Sequence, residues 1–166
     1  MTLDASTEFA LTQRIVRLYE DYVDNLDRQD LDGWAEYFVD DCKYRVISRE
    51  NHDQGLAHAT MYCDGLAMVR DRAKATQVVT MYEPRNLRHF LHRVRVEEVT
   101  GGAADRVIKS SASFLVIESV SDMEPYVHTV GRYLDTLVET PQGLRFKERW
   151  CVYDNYRIFN SLIFPV

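Results

Sequence analysis

Arg88-His89-Phe90, entered through Met81-Tyr82-Glu83-Pro84-Arg85-Asn86-Leu87, opens the half of the chain that decides the fold. Four strand-like runs follow one another from there. They are Arg88 to Val99, Arg106 to Val120, Tyr126 to Glu139 and Leu144 to Tyr156. Thr100-Gly101-Gly102, Ser121-Asp122 and Thr140-Pro141-Gln142-Gly143 separate them, and breaks so short favour hairpins over crossovers. Runs of ten or more residues exceed the usual five or six, so strong curvature is expected. The expected class is α+β, a curved, mostly antiparallel sheet wrapped around N-terminal helices. Such a cone either holds a small-molecule pocket or serves as a packing block in an assembly.

Working back from the sheet, Leu11, Ile15, Leu18, Tyr22 and Leu26 lay one apolar stripe along a first helix. Thr7 is its expected N-cap, with Glu8 in the first turn. Asp30 is expected to cap a short second helix that turns Leu31, Trp34, Ala35 and Phe38 inward, and Lys43 to Ile47 alternates as a strand. Ser48 to Cys63 reads as a long polar loop, a length that is often functional. Asp64 is the expected cap of a third helix, with Leu66, Val69 and Ala73 inside and its end near Thr80. In the fourth run Leu144, Phe146, Trp150 and Val152 share one parity, and Arg145, Lys147 and Arg149 the other. Glu148 then falls on the apolar face, where it needs a partner. The tail from Phe159 to Val166 is apolar enough to be tied to the core or to a partner.

A chain of 166 residues suits one domain, 1–166, with a core that needs no disulfide or metal. The net charge of −6 divides unevenly: 14 acids against 6 bases in residues 1–64, and 12 against 14 in residues 65–166. That balance argues against nucleic acid, which asks for a concentrated basic face. No stretch suits a membrane span or a signal peptide. Cys42, Cys63 and Cys151, an odd number at unrelated spacings, read as buried thiols in a reducing cytoplasm.

Candidate chemistry is sparse. His89 and His92, three apart on a strand, point to opposite faces and share no metal without a bulge. His52, Asp53 and His58 offer iron-type ligands, but a solvated or interface loop is the plainer reading. The cysteine spacing excludes an iron–sulfur cluster, and neither a phosphate-cradling glycine loop nor a Gly-x-Ser-x-Gly elbow is present. His128 and Arg132 on one face of the third run, with Glu148 and Asp154 on the fourth, would suit acid–base work as a free-standing isomerase or dehydratase. A plain ion pair explains the same residues without a substrate, and that reading is preferred. The arginines around residues 85–95 suit interface anchoring.

The ordered set Asp30-Leu31-Asp32-Gly33-Trp34-Ala35-Glu36-Tyr37-Phe38, Cys42-Lys43-Tyr44-Arg45-Val46 and Arg49-Glu50-Asn51-His52-Asp53-Gln54-Gly55-Leu56 resembles the small (β) subunits of aromatic-ring-hydroxylating dioxygenases. So do Met68-Val69-Arg70-Asp71-Arg72, Tyr82-Glu83-Pro84, Arg88-His89-Phe90, Gly131-Arg132-Tyr133 and Val152-Tyr153-Asp154. The likeness runs from about Leu11 to the last residue and lies nearest the branch acting on anthranilate, salicylate, halobenzoate or terephthalate. It implies the nuclear-transport-factor-2-like (SnoaL/ketosteroid-isomerase-like) cone, and a support subunit with no catalytic, cofactor or metal residues of its own. The Rieske [2Fe-2S] cluster and the mononuclear Fe(II) would sit in a large (α) subunit, fed by NADH through a reductase. The small subunit would form a trimer inside a cytoplasmic α3β3 heterohexamer. Arg85, Arg88, His89, Arg93 and Phe164 are the expected subunit-interface residues. A binding module for small aromatics is the remaining alternative.

Overall fold

The structure is a computed structural model that describes residues 4–78, 81–102 and 105–166. Its first helix, α1 (Ala5–Asp27), starts before Thr7, because the Asp4 carboxylate accepts the amides of Ser6 and Thr7 at 3.0 and 3.1 Å. A carboxylate there also meets the positive end of the helix dipole. Asp30 caps α2 (Leu31–Ala35) as expected, accepting the Gly33 amide at 3.0 Å. β1 (Phe38–Ser48) follows and extends the predicted strand at both ends.

The supposed loop from Ser48 to Cys63 is partly regular. Ser48 caps a short helix, α3 (Arg49–Asp53), and a strand, β2 (Met61–Asp64), returns against β1. Asp64 belongs to that strand, so Gly65, at φ +87°, makes the turn into α4 (Leu66–Val78). Leu66, Val69 and Ala73 are buried as the helical spacing requires. The predicted end near Thr80 lies outside the described residues.

The four long runs become β3 (Arg85–Thr100), β4 (Val107–Val120), β5 (Tyr126–Thr140) and β6 (Gly143–Tyr153), an antiparallel meander. β1 adds in parallel to β6, giving the order β2-β1-β6-β5-β4-β3. The sheet is therefore mostly antiparallel, and α1 lies against its inner face at β3 and β6. Trp34, Tyr19, Tyr22, Tyr44, Phe114 and Phe146 fill the space between them, each with almost no exposure. Their rings meet mostly edge-on: Trp34 with Tyr44 at 5.3 Å and Tyr22 with Phe146 at 5.4 Å. The predicted α+β cone is the observed fold.

Bulges decide which side chains face in. The β5–β6 register skips between Thr136 and Leu137, leaving Lys147 as an extra residue on β6. One extra residue reverses the pleat, so beyond it Arg149 and Cys151 point inward. Glu148 and Trp150 turn outward and are half-buried. The alternation read from the sequence holds for Leu144 and Phe146 and fails after them.

Candidate functional site

The centre of the cone is a box of rings around a charge. Arg149 is fully buried, and its guanidinium carbon lies 3.7 Å from the Tyr133 ring centre, 4.0 Å from Tyr22, 4.3 Å from Phe146 and 4.9 Å from Tyr19. Those faces attract a cation most where water is absent. Asp135 supplies the counter-charge at 3.4 Å from Nη1 and accepts the Tyr19 hydroxyl. Burial pushes the Asp135 carboxyl up to about 6, against the pull of Arg149 and of Tyr19. The same burial raises the phenols of Tyr19, Tyr22 and Tyr133 well above their usual value, so they stay neutral. The box is closed further by Trp34, whose Nε1–H donates to Tyr22 Oη at 2.9 Å.

The tail seals the adjoining space. Tyr44 Oη accepts the Val166 amide at 2.8 Å, and the Val166 carbonyl accepts the Tyr22 hydroxyl at 3.0 Å. Cys151 Sγ also donates to that carbonyl, at 3.3 Å. Phe164 is buried against the edge of Tyr82, with ring centres 5.3 Å apart. The apolar tail is thus tied to the chain's own core.

A second polar cluster lies under that tail. Arg85 Nη1 donates to Glu118 Oε1 at 2.7 Å, Tyr126 donates to the other oxygen, and His128 Nε2 stands 3.9 Å away. Burial holds the His128 imidazole below its ordinary value, opposed by Glu118. Beside it, the Asp27 carboxylate takes the His89 amide at 3.1 Å and ring Nδ1 at 2.7 Å, locking the last turn of α1 onto β3. The cavity bounded by Arg85, Glu118, His128, Phe164 and Val166 is about 10 Å³, room for one water at most.

The residues expected to perform acid–base work are not brought together. β5 has an extra residue opposite the Val116–Ile117 step, so His128 and Thr129 both turn inward while Arg132 points out. Glu148 lies on the outer face, and Asp154 pairs with Arg49 at 2.6 Å. His128 with Arg132 on one face, and Glu148 on the inner one, are therefore both corrected by a bulge. Of the expected interface residues, Arg85, His89 and Phe164 are buried within the chain, where each already has a partner. Arg88 and Arg93 remain at the surface. His89 and His92 do face opposite ways, and a bulge at Arg93, φ +55°, follows them.

Sequence reasoning missed Arg149. The available signal was Asp135, a carboxylate in the inward parity between Tyr133 and Leu137, which calls for a buried cation. Among the described residues no three His, Cys, Asp or Glu side chains gather as metal ligands. Cys42, Cys63 and Cys151 are buried free thiols, with Cys42 and Cys151 pushed up by burial to about 11 and about 12. Thiols so far from ionising are poor ligands and poor nucleophiles. No helix among the described residues is long and apolar enough to cross a membrane.

Comparison with known proteins supplies the identity that the geometry alone leaves open. The family model for the ring hydroxylating beta subunit matches residues 21–160. The anthranilate 1,2-dioxygenase small subunit of Burkholderia cepacia is 31% identical over 166 residues, spanning 100% of this chain and 98% of that one. The beta 2 subunit of the terminal oxygenase component of terephthalate 1,2-dioxygenase from Comamonas sp. is 31% identical over 134 residues, 81% of this chain and 84% of its own. Among solved structures, a beta subunit assigned to an aromatic-ring-hydroxylating dioxygenase of Novosphingobium aromaticivorans superposes with a TM-score of 0.81 at 34% identity, covering 95% of this chain and 97% of that one. The chain belongs to the ring-hydroxylating β-subunit family, and is a small subunit of a multicomponent aromatic-ring dioxygenase.

Proposed function

We propose that this chain is the structural, non-catalytic subunit of a cytoplasmic aromatic-ring dioxygenase that adds O2 to a carboxylated ring. The observation that carries the reading is the end-to-end match to an anthranilate dioxygenase small subunit at 31% identity. The terephthalate relative, also named for a carboxylated aromatic, supports the same substrate class. The partner is a large subunit holding the Rieske [2Fe-2S] cluster and mononuclear Fe(II), with NADH as electron source through a reductase. Three copies of each chain form the complex, and Arg88 and Arg93 are the surface arginines placed to take part in its contacts. The ring-filled cone interior fits this role, since a packing block gains from a rigid core and has no use for a pocket.

The test is where the iron goes. The chain purified alone is expected to be colourless and iron-free, and the complex formed with its large subunit to carry all the iron and visible absorbance. An iron–sulfur absorption band in the lone chain would sink the proposal.

A further inference from the structure

The segment from Tyr156 to Val166 joins no strand or helix. Tyr156, Arg157 and Phe159 to Ser161 are exposed, with a bend at Asn160, φ +64°, before the chain turns inward. Phe164, Pro165 and Val166 are buried. This is an exposed arm with a buried tip, and side chains hold the tip. Tyr22 on α1, Tyr44 on β1 and Cys151 on β6 each aim a donor at the Val166 carbonyl oxygen, at 3.0, 3.3 and 3.3 Å. Trp34 Nε1 donates to Tyr22 Oη, which leaves the Tyr22 proton for the tail. Buried backbone groups are mostly paired within strand and helix ladders. Here one carbonyl is gripped by three side chains from three elements, as the oxygen of a ligand would be.

The walls around the tip stand without it. Leu87, Val116, Glu118 and Arg85 face it across the cavity of about 10 Å³. They are fixed by the β3–β4 ladder and the Arg85–Glu118 ion pair, while Tyr44 and Cys151 are fixed by the β1–β6 ladder. Withdrawing the tip would leave two hydroxyls and a thiol buried without an acceptor, a cost that the oxygen of a bound molecule removes. Arg149, which shares its charge with Asp135, lies 4.0 Å from the Tyr22 ring centre and adds attraction for a carboxylate. We propose that Phe164-Pro165-Val166 is a removable plug, and that the space it fills binds a small aromatic molecule carrying a carbonyl or carboxylate oxygen. The oxygen takes the place of the Val166 carbonyl. The ring takes the place of Phe164, which packs edge-on to Tyr82 at 5.3 Å. Plug and ligand compete, so the affinity of the intact chain is the intrinsic affinity reduced by the fraction of chains whose plug is out. The site goes beyond the subunit role and does not depend on it.

Calorimetric titration of the full chain with benzoate tests this, with circular dichroism to check that each variant folds. Phe164→Ala/Val166→Ala loosens the plug and is expected to bind benzoate at least about tenfold more tightly than the wild type. Adding Tyr22→Phe/Tyr44→Phe removes the two hydroxyl donors and should undo that gain. Acetophenone carries the same oxygen without the charge. Tighter binding of benzoate assigns the site to carboxylates, and tighter binding of acetophenone assigns it to neutral carbonyl compounds. Toluene lacks the oxygen and should not bind; if it binds as well as benzoate, the space is a plain cavity and the proposal is overturned. A folded Phe164→Ala/Val166→Ala chain that binds neither oxygen-bearing probe also overturns it. Hydrogen exchange on the wild type decides the matter even if the variants fail to fold. Peptides covering the tail should exchange by local opening, faster than those of β5, and faster still as benzoate holds the open state. A tail that exchanges only as slowly as β5 is part of the core, and no plug. Either failure leaves the dioxygenase reading standing.

Discussion

Replacing Arg149 with Met should make the stability of this protein depend on pH in a way that the wild type does not. Asp135 titrates at about 6 in the folded chain against an ordinary 3.8, because burial outweighs the help of Arg149 and Tyr19. A carboxyl raised on folding contributes stability that is whole below pH ~3.8 and is lost as pH rises through its folded value. In the wild type the loss therefore stops near pH 6. Arg149 Nη1 lies 3.4 Å from Asp135 Oδ2. At an effective dielectric of about 20 that contact is worth ~5 kcal/mol. Without it the Asp135 pKa rises by a further ~3–4, and the loss continues at ~1.4 kcal/mol for each pH unit. Between pH 6 and 7.5 the variant thus falls about 2 kcal/mol further behind the wild type. Lost ring contacts and relief from burying a cation add a pH-independent part of mixed sign. Urea unfolding at pH 5 and 7.5 reads the difference directly. Asp135→Leu/Arg149→Met should abolish the pH effect. A destabilisation equal at the two pH values within about 0.5 kcal/mol would refute the reasoning.

Asp27→Ala removes the carboxylate that takes both the amide and the ring of buried His89. It should cost about 3 kcal/mol, and thermal unfolding should show a midpoint roughly 8 °C lower. Gly131→Ala would put a Cβ 2.1 Å from the Val152 carbonyl oxygen, across the β5–β6 pair. More than about 3 kcal/mol of lost stability is expected, and a folded variant within about 1 kcal/mol of the wild type would show the strands less tightly fixed. Iodoacetamide at pH 8 should leave Cys42, Cys63 and Cys151 unmodified in the native chain and label all three in urea, by mass spectrometry.

The fold was largely legible because its signals are local. The meander lies between turn formers that any reading finds, and Asp30 marks its helix directly. Ser48 was equally a helix start, but the polar stretch after it hid the five-residue α3 and four-residue β2, which are too short for periodicity to register. Site residues were harder for a different reason. Parity arguments count residues, and an extra one at Lys147 or beside His128 reverses the count without leaving a mark in composition. Arg149 read as surface and became the centre of the core, while Glu148 moved the other way. Arg85, His89 and Phe164 looked like anchors for a partner, and their partners proved to be Glu118, Asp27 and Tyr82 within the chain.

Co-expression with an affinity-tagged large subunit tests the central reading most directly. The untagged chain should be retained in equimolar amount, and the retained complex, given reductase and NADH, should consume an aromatic carboxylate with O2. A large subunit that is recovered alone and turns over equally well, with this chain in the flow-through, would contradict its role as a structural subunit.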